Sequence, residues 1–218
     1  QNYDKALDIA KAWISEQPEQ VTGYNLEGLI HSLSNNEEES SRAYQRALNI
    51  DSNNTASLLF FAAVAERDGN FEEAQKSLKK VLDNRPDYLP ALKLNYRVSS
   101  NLNDTSEAIK AIKKATEKLD STQEHATLLA RAYYSEGRYK DAIQTLESID
   151  KGNPLLDKHF WITLAYSYLH NGDAEKAIAT IGTWSKLTPK KDAIWLHKIR
   201  LEESLQRYKE AISTVKAG

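Results

Sequence analysis

Apolar residues recur along this chain at helical spacing. Segments such as Glu72 to Leu82 and Ser106 to Leu119 set them at steps of three and four, which gathers them on one stripe of a half-buried α-helix. The period there is the helical ~3.6 residues and not the ~2 of a strand. Read in this way, the pattern predicts helices over 3–16, 20–34, 37–50, 54–68, 71–84, 88–101, 105–119, 123–136, 139–150, 156–171, 174–187, 190–205 and 208–217. Ser121 followed by Glu124 predicts a capping box, in which each side chain satisfies a backbone donor at a helix start.

The pattern also repeats. Ala6, Ser40, Ala74, Ala108, Ala142, Ala177 and Ala211 form one column at spacings of 34, 34, 34, 34, 35 and 34 residues. Twelve residues later stand Pro18, Ser52, Pro86, Asp120, Pro154 and Pro189, types that end helices or begin turns. Twelve residues before the alanines stand Gly28, Ala62, Tyr96, Ala130, Ala165 and Ile199, most of them small. Two small columns imply two helices in close contact. Between them runs a column of Asn35, Gly69, Asn103, Gly137, Gly172 and Gln206, rich in residues that tolerate the left-handed conformation at a helix C-terminus. Each row is therefore helix, turn, helix. The extra residue of the sixth row is expected between Pro154 and Lys158, shifting one hairpin without breaking the series.

These rows resemble tetratricopeptide repeats. Row two carries Tyr24, Gly28, Ser40, Tyr44, Ala47 and Ser52 at the family's pattern positions, and row three Leu58, Ala62, Ala74, Leu78, Val81 and Pro86. Row five adds Tyr133, Gly137, Tyr139, Ala142, Leu146 and Pro154, and row six Trp161, Ala165, Tyr168, Gly172, Ala177, Ile181 and Pro189. The resemblance implies an all-α fold, a right-handed α–α superhelix of antiparallel helix pairs, as one solenoid over 1–218. Its divisions are a half repeat 1–18, repeats 19–52, 53–86, 87–120, 121–154 and 155–189, and a truncated last repeat 190–218. Departures are expected to alter packing: Tyr96 fills a small slot, Ile199 is large where glycine is usual, and Glu27, Asn95 and Lys198 replace an apolar residue. Both ends lack an obvious polar cap, so the expectation is that the native protein continues or that the ends pair with another copy. The absence of Met, and so of an initiator, fits a processed or excised chain.

Composition narrows the functional classes. With 29 basic and 31 acidic residues interspersed, the net charge of −2 provides no electrostatic reason for a nucleic acid or an anionic membrane as partner. No apolar run approaches the roughly 20 residues that span a bilayer, and no signal segment opens the chain. Without cysteine there is neither disulfide nor thiolate metal site, and the redox compartment is unreadable.

In the family, partners bind a concave groove lined by the first helix of each hairpin. Carried onto the matching positions here, the groove comprises Asn25, Leu29, Leu59, Ala63, Lys93, Arg97, Thr127, Arg131 and Tyr134. It continues through His159, Ile162, Tyr166, His170, Leu196, His197 and Arg200. It changes from mainly apolar to basic at Lys93, Arg97 and Arg131, and then to tyrosine and histidine. That suits an acidic, aromatic peptide, since arginine grips carboxylates bidentately and tyrosine offers a rigid amphipathic surface. Each basic residue also has a plain reading as part of a solvated face. Trp13, Tyr44, Tyr133, Trp161, Tyr168 and Trp184 fall in packing columns and are expected in the core, whereas Tyr134 and Tyr166 suit ligand contact and simple partial exposure equally.

Two narrower readings of the family do not fit. The Lys and Asn pattern of a carboxylate clamp is incomplete around Asn25, Lys93 and Arg97, and no ladder of groove asparagines occurs. The row wording is similar to bacterial envelope tetratricopeptide lipoproteins linked to exopolysaccharide export and protein sorting, a resemblance that implies the periplasm or envelope over the cytoplasm. Catalysis and cofactors are not expected: there is no phosphate loop, HExxH, nucleophile elbow or cysteine. His159 and His170 lie about 16 Å apart along a helix rising ~1.5 Å per residue, too far to share one ion. His31 fits a partly buried packing slot, and His125 is expected to be solvated near a helix start. Asn53-Asn54-Thr55 and Asn103-Asp104-Thr105 match the glycosylation sequon, a pattern short enough to arise by chance. Three functions fit: a peptide-binding adaptor, a spacer or self-association module, and a regulatory arm of a catalytic domain outside this sequence.

Overall fold

The computed structural model describes residues 3–118, 122–153, 156–188 and 192–206, and among them are twelve α-helices and no strand. In chain order these are α1 (Tyr3–Glu16), α2 (Val21–Leu33), α3 (Glu37–Ile50), α4 (Thr55–Arg67), α5 (Phe71–Asn84) and α6 (Leu89–Asn101). There follow α7 (Ser106–Thr116), α8 (Gln123–Ser135), α9 (Tyr139–Glu147), α10 (Lys158–His170), α11 (Ala174–Leu187) and α12 (Asp192–Ser204). The all-α class is the expected one. The helix expected over 208–217 and the expected cap Ser121 lie outside the described residues.

Each hairpin turn is built the same way. Asn35, Gly69, Asn103, Gly137 and Gly172 have φ of +59°, +78°, +55°, +71° and +88°, and Gln206 after α12 has +58°. In each hairpin the N–H after this residue bonds back to a carbonyl five positions earlier. Asn36 reaches His31 at 2.8 Å, Asn70 reaches Ala65 at 2.7 Å, Asp104 reaches Ser99 at 3.0 Å, and Arg138 and Asp173 reach Tyr133 and Tyr168 at 2.8 Å. This is the Schellman closure, which satisfies the carbonyls that a helix end leaves open. It reverses the chain in three residues and lays the second helix against the first.

The helices group into two compact units, Gln1–Ala111 and Ile112–Gly218, with the division inside α7. In the first unit α2 packs on α1 and α3, and α4 packs on α3, α5 and α6. Small residues set the approach. A Cβ on Gly28 would lie 2.9 Å from the Tyr44 ring, and one on Gly23 would lie 2.7 Å from Ile14 Cγ1. The Ser40 hydroxyl donates to the Gly28 carbonyl at 2.8 Å across the same α2–α3 contact. Leu58, Ala62, Ala74, Leu78, Val81, Leu94 and Val98 form a buried core behind it. Glu27, at a usually apolar position, is buried and is offset by Arg46, whose Nη1 stands 3.6 Å away.

In the second unit α8 packs on α9 and α10, α10 on α9 and α11, and α11 on α12. Ala130, Ala142, Ala165 and Ala177 are wholly buried, as are Phe160, Leu146, Leu164 and Ile181. Tyr133, Trp161, Tyr168 and Trp184 are buried here, and Tyr44 in the first unit. Two expectations are corrected. Trp13 is 39% exposed, because α1 meets α2 through the neighbouring face that carries Ala10 and Ile14. His125 is buried, not solvated: its Nδ1 accepts the Thr122 backbone N–H at 3.1 Å, so the imidazole itself is the reciprocal cap of α8.

Candidate functional site

In the first unit the candidate residues lie on α2, α4 and α6. Leu29 is 48% exposed, and one turn later Leu33, which the column pattern did not single out, is 59% exposed. Leu59 is half-buried and Ala63 exposed, so this face is apolar. Phe60, Ala63 and Val64 open onto a recess of about 310 Å³ rimmed by Ser32, Asn35, Glu37 and Arg67. Arg67 closes the rim by pairing with Glu37, Nη2 to Oε1 at 2.7 Å. Asn25 is turned to its neighbour, with Oδ1 3.5 Å from the Ser57 hydroxyl. Lys93 is exposed. Arg97 is also exposed but is not available as drawn from the sequence: its Nε and Nη2 both donate to Glu66, the latter at 2.6 Å. That bond, with the carboxylate's charge, raises the guanidinium pKa further above its ordinary value.

In the second unit the structure brings most of the candidates together on α8, α10 and α12. Thr127 is buried, and its hydroxyl is used up on the Gln123 carbonyl at 2.9 Å. Tyr134 meets His170 with ring centroids 5.6 Å apart, and Tyr139 at the start of α9 completes a trio at 5.5 Å from Tyr134 and 5.2 Å from His170. Burial, then the neighbouring phenols Tyr139 and Tyr166, push the Tyr134 hydroxyl pKa up. Tyr166 meets His197 edge-on at 6.1 Å, and the same imidazole lies 6.1 Å from the Trp184 indole. His159 and Ile162 are half-buried on α10, and Leu196 is 57% exposed. Arg131 and Arg200 are exposed and enter no ion pair among the described residues.

Electrostatics concentrate at His197. Its Nδ1 is buried without a hydrogen-bond partner among the described residues. Burial first, then the charges of Arg200 and Lys158, hold its pKa below the ordinary imidazole value. Lys158, Tyr139 and Glu66 were not placed at the groove from the sequence. Tyr139 had a visible signal as the aromatic opening a second helix, but nothing in the row pattern pairs Glu66 with Arg97.

No group of three His, Asp or Glu able to hold a metal ion occurs among the described residues, and no helix among them is long and apolar enough to cross a membrane. The chain is thus an all-α protein of helical hairpins, whose second unit carries a set of half-buried rings and two exposed guanidinium groups without an ion pair among the described residues. Family models described as tetratricopeptide repeat match residues 21–54, 65–132 and 133–196, more than half of the sequence, and the chain belongs to that family.

No curated protein matches the sequence. Among solved structures it is similar to PilW, described as a widely conserved type IV pilus biogenesis factor, with a TM-score of 0.71 at 14% identity over 89% of this chain and 90% of that one. A tetratricopeptide repeat protein from Parabacteroides merdae matches with a TM-score of 0.66 at 18% identity, over 99% and 85%. The APC/C hetero-tetramer Cut9–Hcn1 matches with a TM-score of 0.66 at 12% identity, over 98% of this chain; the chain spans 42% of the length of its matched partner there. These likenesses establish the fold. Family and fold together suggest a protein–protein interaction scaffold, a class that is typically non-catalytic.

Proposed function

We propose that the chain recruits a protein segment onto the first-helix face of its hairpins, and that the second unit takes an acidic, aromatic-bearing stretch of that partner. The carrying observation is that Arg131 and Arg200 are exposed and enter no ion pair among the described residues, each three residues along its helix from a ring, Tyr134 on α8 and His197 on α12, and that the half-buried Tyr134 and Tyr166 meet His170 and His197. Arginine without an internal carboxylate is free to grip one supplied in trans, and rings held by their neighbours lose little entropy on contact. The apolar face of Leu29, Leu33 and Ala63 would take aliphatic side chains of the same or a second segment. Cut9–Hcn1 is itself an assembly of different chains, which supports reading this fold as an assembly surface.

The test uses a capped synthetic peptide of alternating glutamate and tyrosine. Binding measured by fluorescence anisotropy should fall at least about tenfold in the Arg131→Glu, Arg200→Glu double variant, the loss of about 1.4 kcal/mol or more expected for two charge-assisted contacts. The helical melting curve should not change. Equal binding by both proteins would remove the assignment.

A second reading, self-association, is favoured by one feature. Ile9 is 61% and Trp13 39% exposed, one turn apart on α1. On that reading the molar mass from light scattering rises with concentration and Trp13→Glu abolishes the rise.

A further inference from the structure

We propose that Tyr134, Tyr139 and His170 form a ring platform on the second unit, and that it takes a proline-rich stretch of the partner in the polyproline II conformation. The inference rests on the reading of this face as a partner-binding surface and adds a second chemical feature to the segment it takes.

Local structure assembles the platform. The left-handed Gly137, with the Arg138 N–H bonded to the Tyr133 carbonyl at 2.8 Å, reverses the chain and returns Tyr139 at the start of α9 to the Tyr134 ring on α8, centroids 5.5 Å apart. His170, the last residue of α10, closes the triangle at 5.6 Å from Tyr134 and 5.2 Å from Tyr139. The planes are inclined by 57°, 57° and 66°, so the rings brace one another edge to face. Held from three helices, they have little freedom left to lose on contact. The platform is open all the same: His170 is exposed, and both tyrosines are only half-buried.

Its polar atoms select the ligand. Neither phenol nor the imidazole makes a hydrogen bond among the described residues. Elsewhere in the unit such groups are occupied, the Tyr168 hydroxyl by Glu147 and the His125 imidazole by the Thr122 N–H. Burial, then the phenols of Tyr139 and Tyr166, raise the Tyr134 pKa and so keep its hydroxyl protonated as a donor. The platform therefore offers apolar ring surface together with free donors. A polyproline II segment is its complement, because each proline carries a carbonyl but no N–H, the conformation has no internal hydrogen bonds, and the pyrrolidine rings are apolar. The segment is also pre-extended, so seating it on aromatic side chains orders little. Two other occupants fit less well. A strand brings an N–H for every carbonyl and needs a row of backbone acceptors that helices do not present. A cation over the rings meets Arg131, exposed and three residues before Tyr134 on the same side of α8.

The experiment compares binding, to the whole chain, of the glutamate–tyrosine peptide extended by a run of prolines and of the same peptide extended by glycine and serine to equal length. Fluorescence anisotropy is expected to show the proline form binding about fivefold to tenfold more tightly to wild type. His170→Ala removes an exposed ring, and Tyr139→Phe keeps its ring and deletes one hydroxyl. Each should reduce the gain, and the double variant should bring it below about twofold with the helical melting curve preserved. Equal binding of the two peptides by wild type, or a gain that persists in the double variant, overturns the platform while leaving the partner face in place. A gain matched by an extension of alternating phenylalanine and serine assigns the rings to aromatic side chains and overturns the polyproline reading. Failure of wild type to bind either peptide removes the partner face and the platform with it.

Discussion

Arg97 on α6 is held by Glu66 on α4, two hairpin positions that stand 31 residues apart in sequence. The two ends of this pair differ. The Glu66 side chain is 14% exposed and that of Arg97 63%, so each deletion leaves a different orphan. Arg97→Ala strands a carboxylate that solvent barely reaches and should cost about 1 kcal/mol, whereas Glu66→Gln leaves a solvated guanidinium and should cost about half as much. Urea melts at low salt measure both, and the difference should shrink at high salt. Equal costs would mean that the pair is merely a surface contact.

Gly28→Ala should destabilise the first unit by about 1–2 kcal/mol. A methyl there lies 2.9 Å from three carbons of the Tyr44 ring, which is buried and cannot swing out to solvent. The overpacking outweighs the roughly 0.5–1 kcal/mol that alanine gains over glycine inside a helix. Tyr44→Leu in the same chain should recover most of the loss, because it removes the atoms that clash. A thermal melt of wild type and the two variants decides this.

How much of this could be read in the residues depends on the range of the physics involved. The turn column from Asn35 to Gln206 was legible because a left-handed residue is a local demand that glycine and asparagine meet most easily, and all six positions have positive φ. The small columns were legible for a similar reason, since backbone approach excludes side chains wherever it occurs. Trp13 misled because its column predicts which face is apolar, not whether a neighbour covers it. His125 misled because a capping imidazole looks, in sequence, like any polar residue at a helix start. The Arg97–Glu66 pair was invisible: its register depends on how one helix pair is rotated on the next, which no residue type specifies. On the candidate face, the tyrosines and arginines were named from the row positions. Whether each arginine is already occupied needed coordinates.

His197 makes stability depend on pH in a definite direction. Its folded pKa lies below the ordinary imidazole value through burial and the charges of Arg200 and Lys158, so the unfolded chain binds the proton more readily. Stability contributed by the neutral ring is therefore present above the unfolded value of ~6.5 and is lost as pH falls toward the folded one. The difference in unfolding free energy between wild type and His197→Gln should fall steadily between pH 7 and 5, which isolates this residue from the other histidines. A difference that stays constant over that range would place the imidazole in solvent.

Asn103 and Gln206 occupy the same left-handed turn position with different fitness for it. Their φ values are +55° and +58°, a region that costs a residue with a Cβ about 1–2 kcal/mol unless, like asparagine, it makes compensating local bonds. Asn103→Gly should consequently be close to neutral, since relieved strain and the added freedom of the unfolded chain nearly cancel. Gln206→Gly should stabilise by about 0.5 kcal/mol, because glutamine gains least from local bonding and has most strain to relieve. Asn103→Val should destabilise by about 1–2 kcal/mol, its branched Cβ being the least tolerant of positive φ. Chemical denaturation of the three variants orders them, and a valine variant as stable as wild type would mean that the α6–α7 turn closes without the left-handed residue.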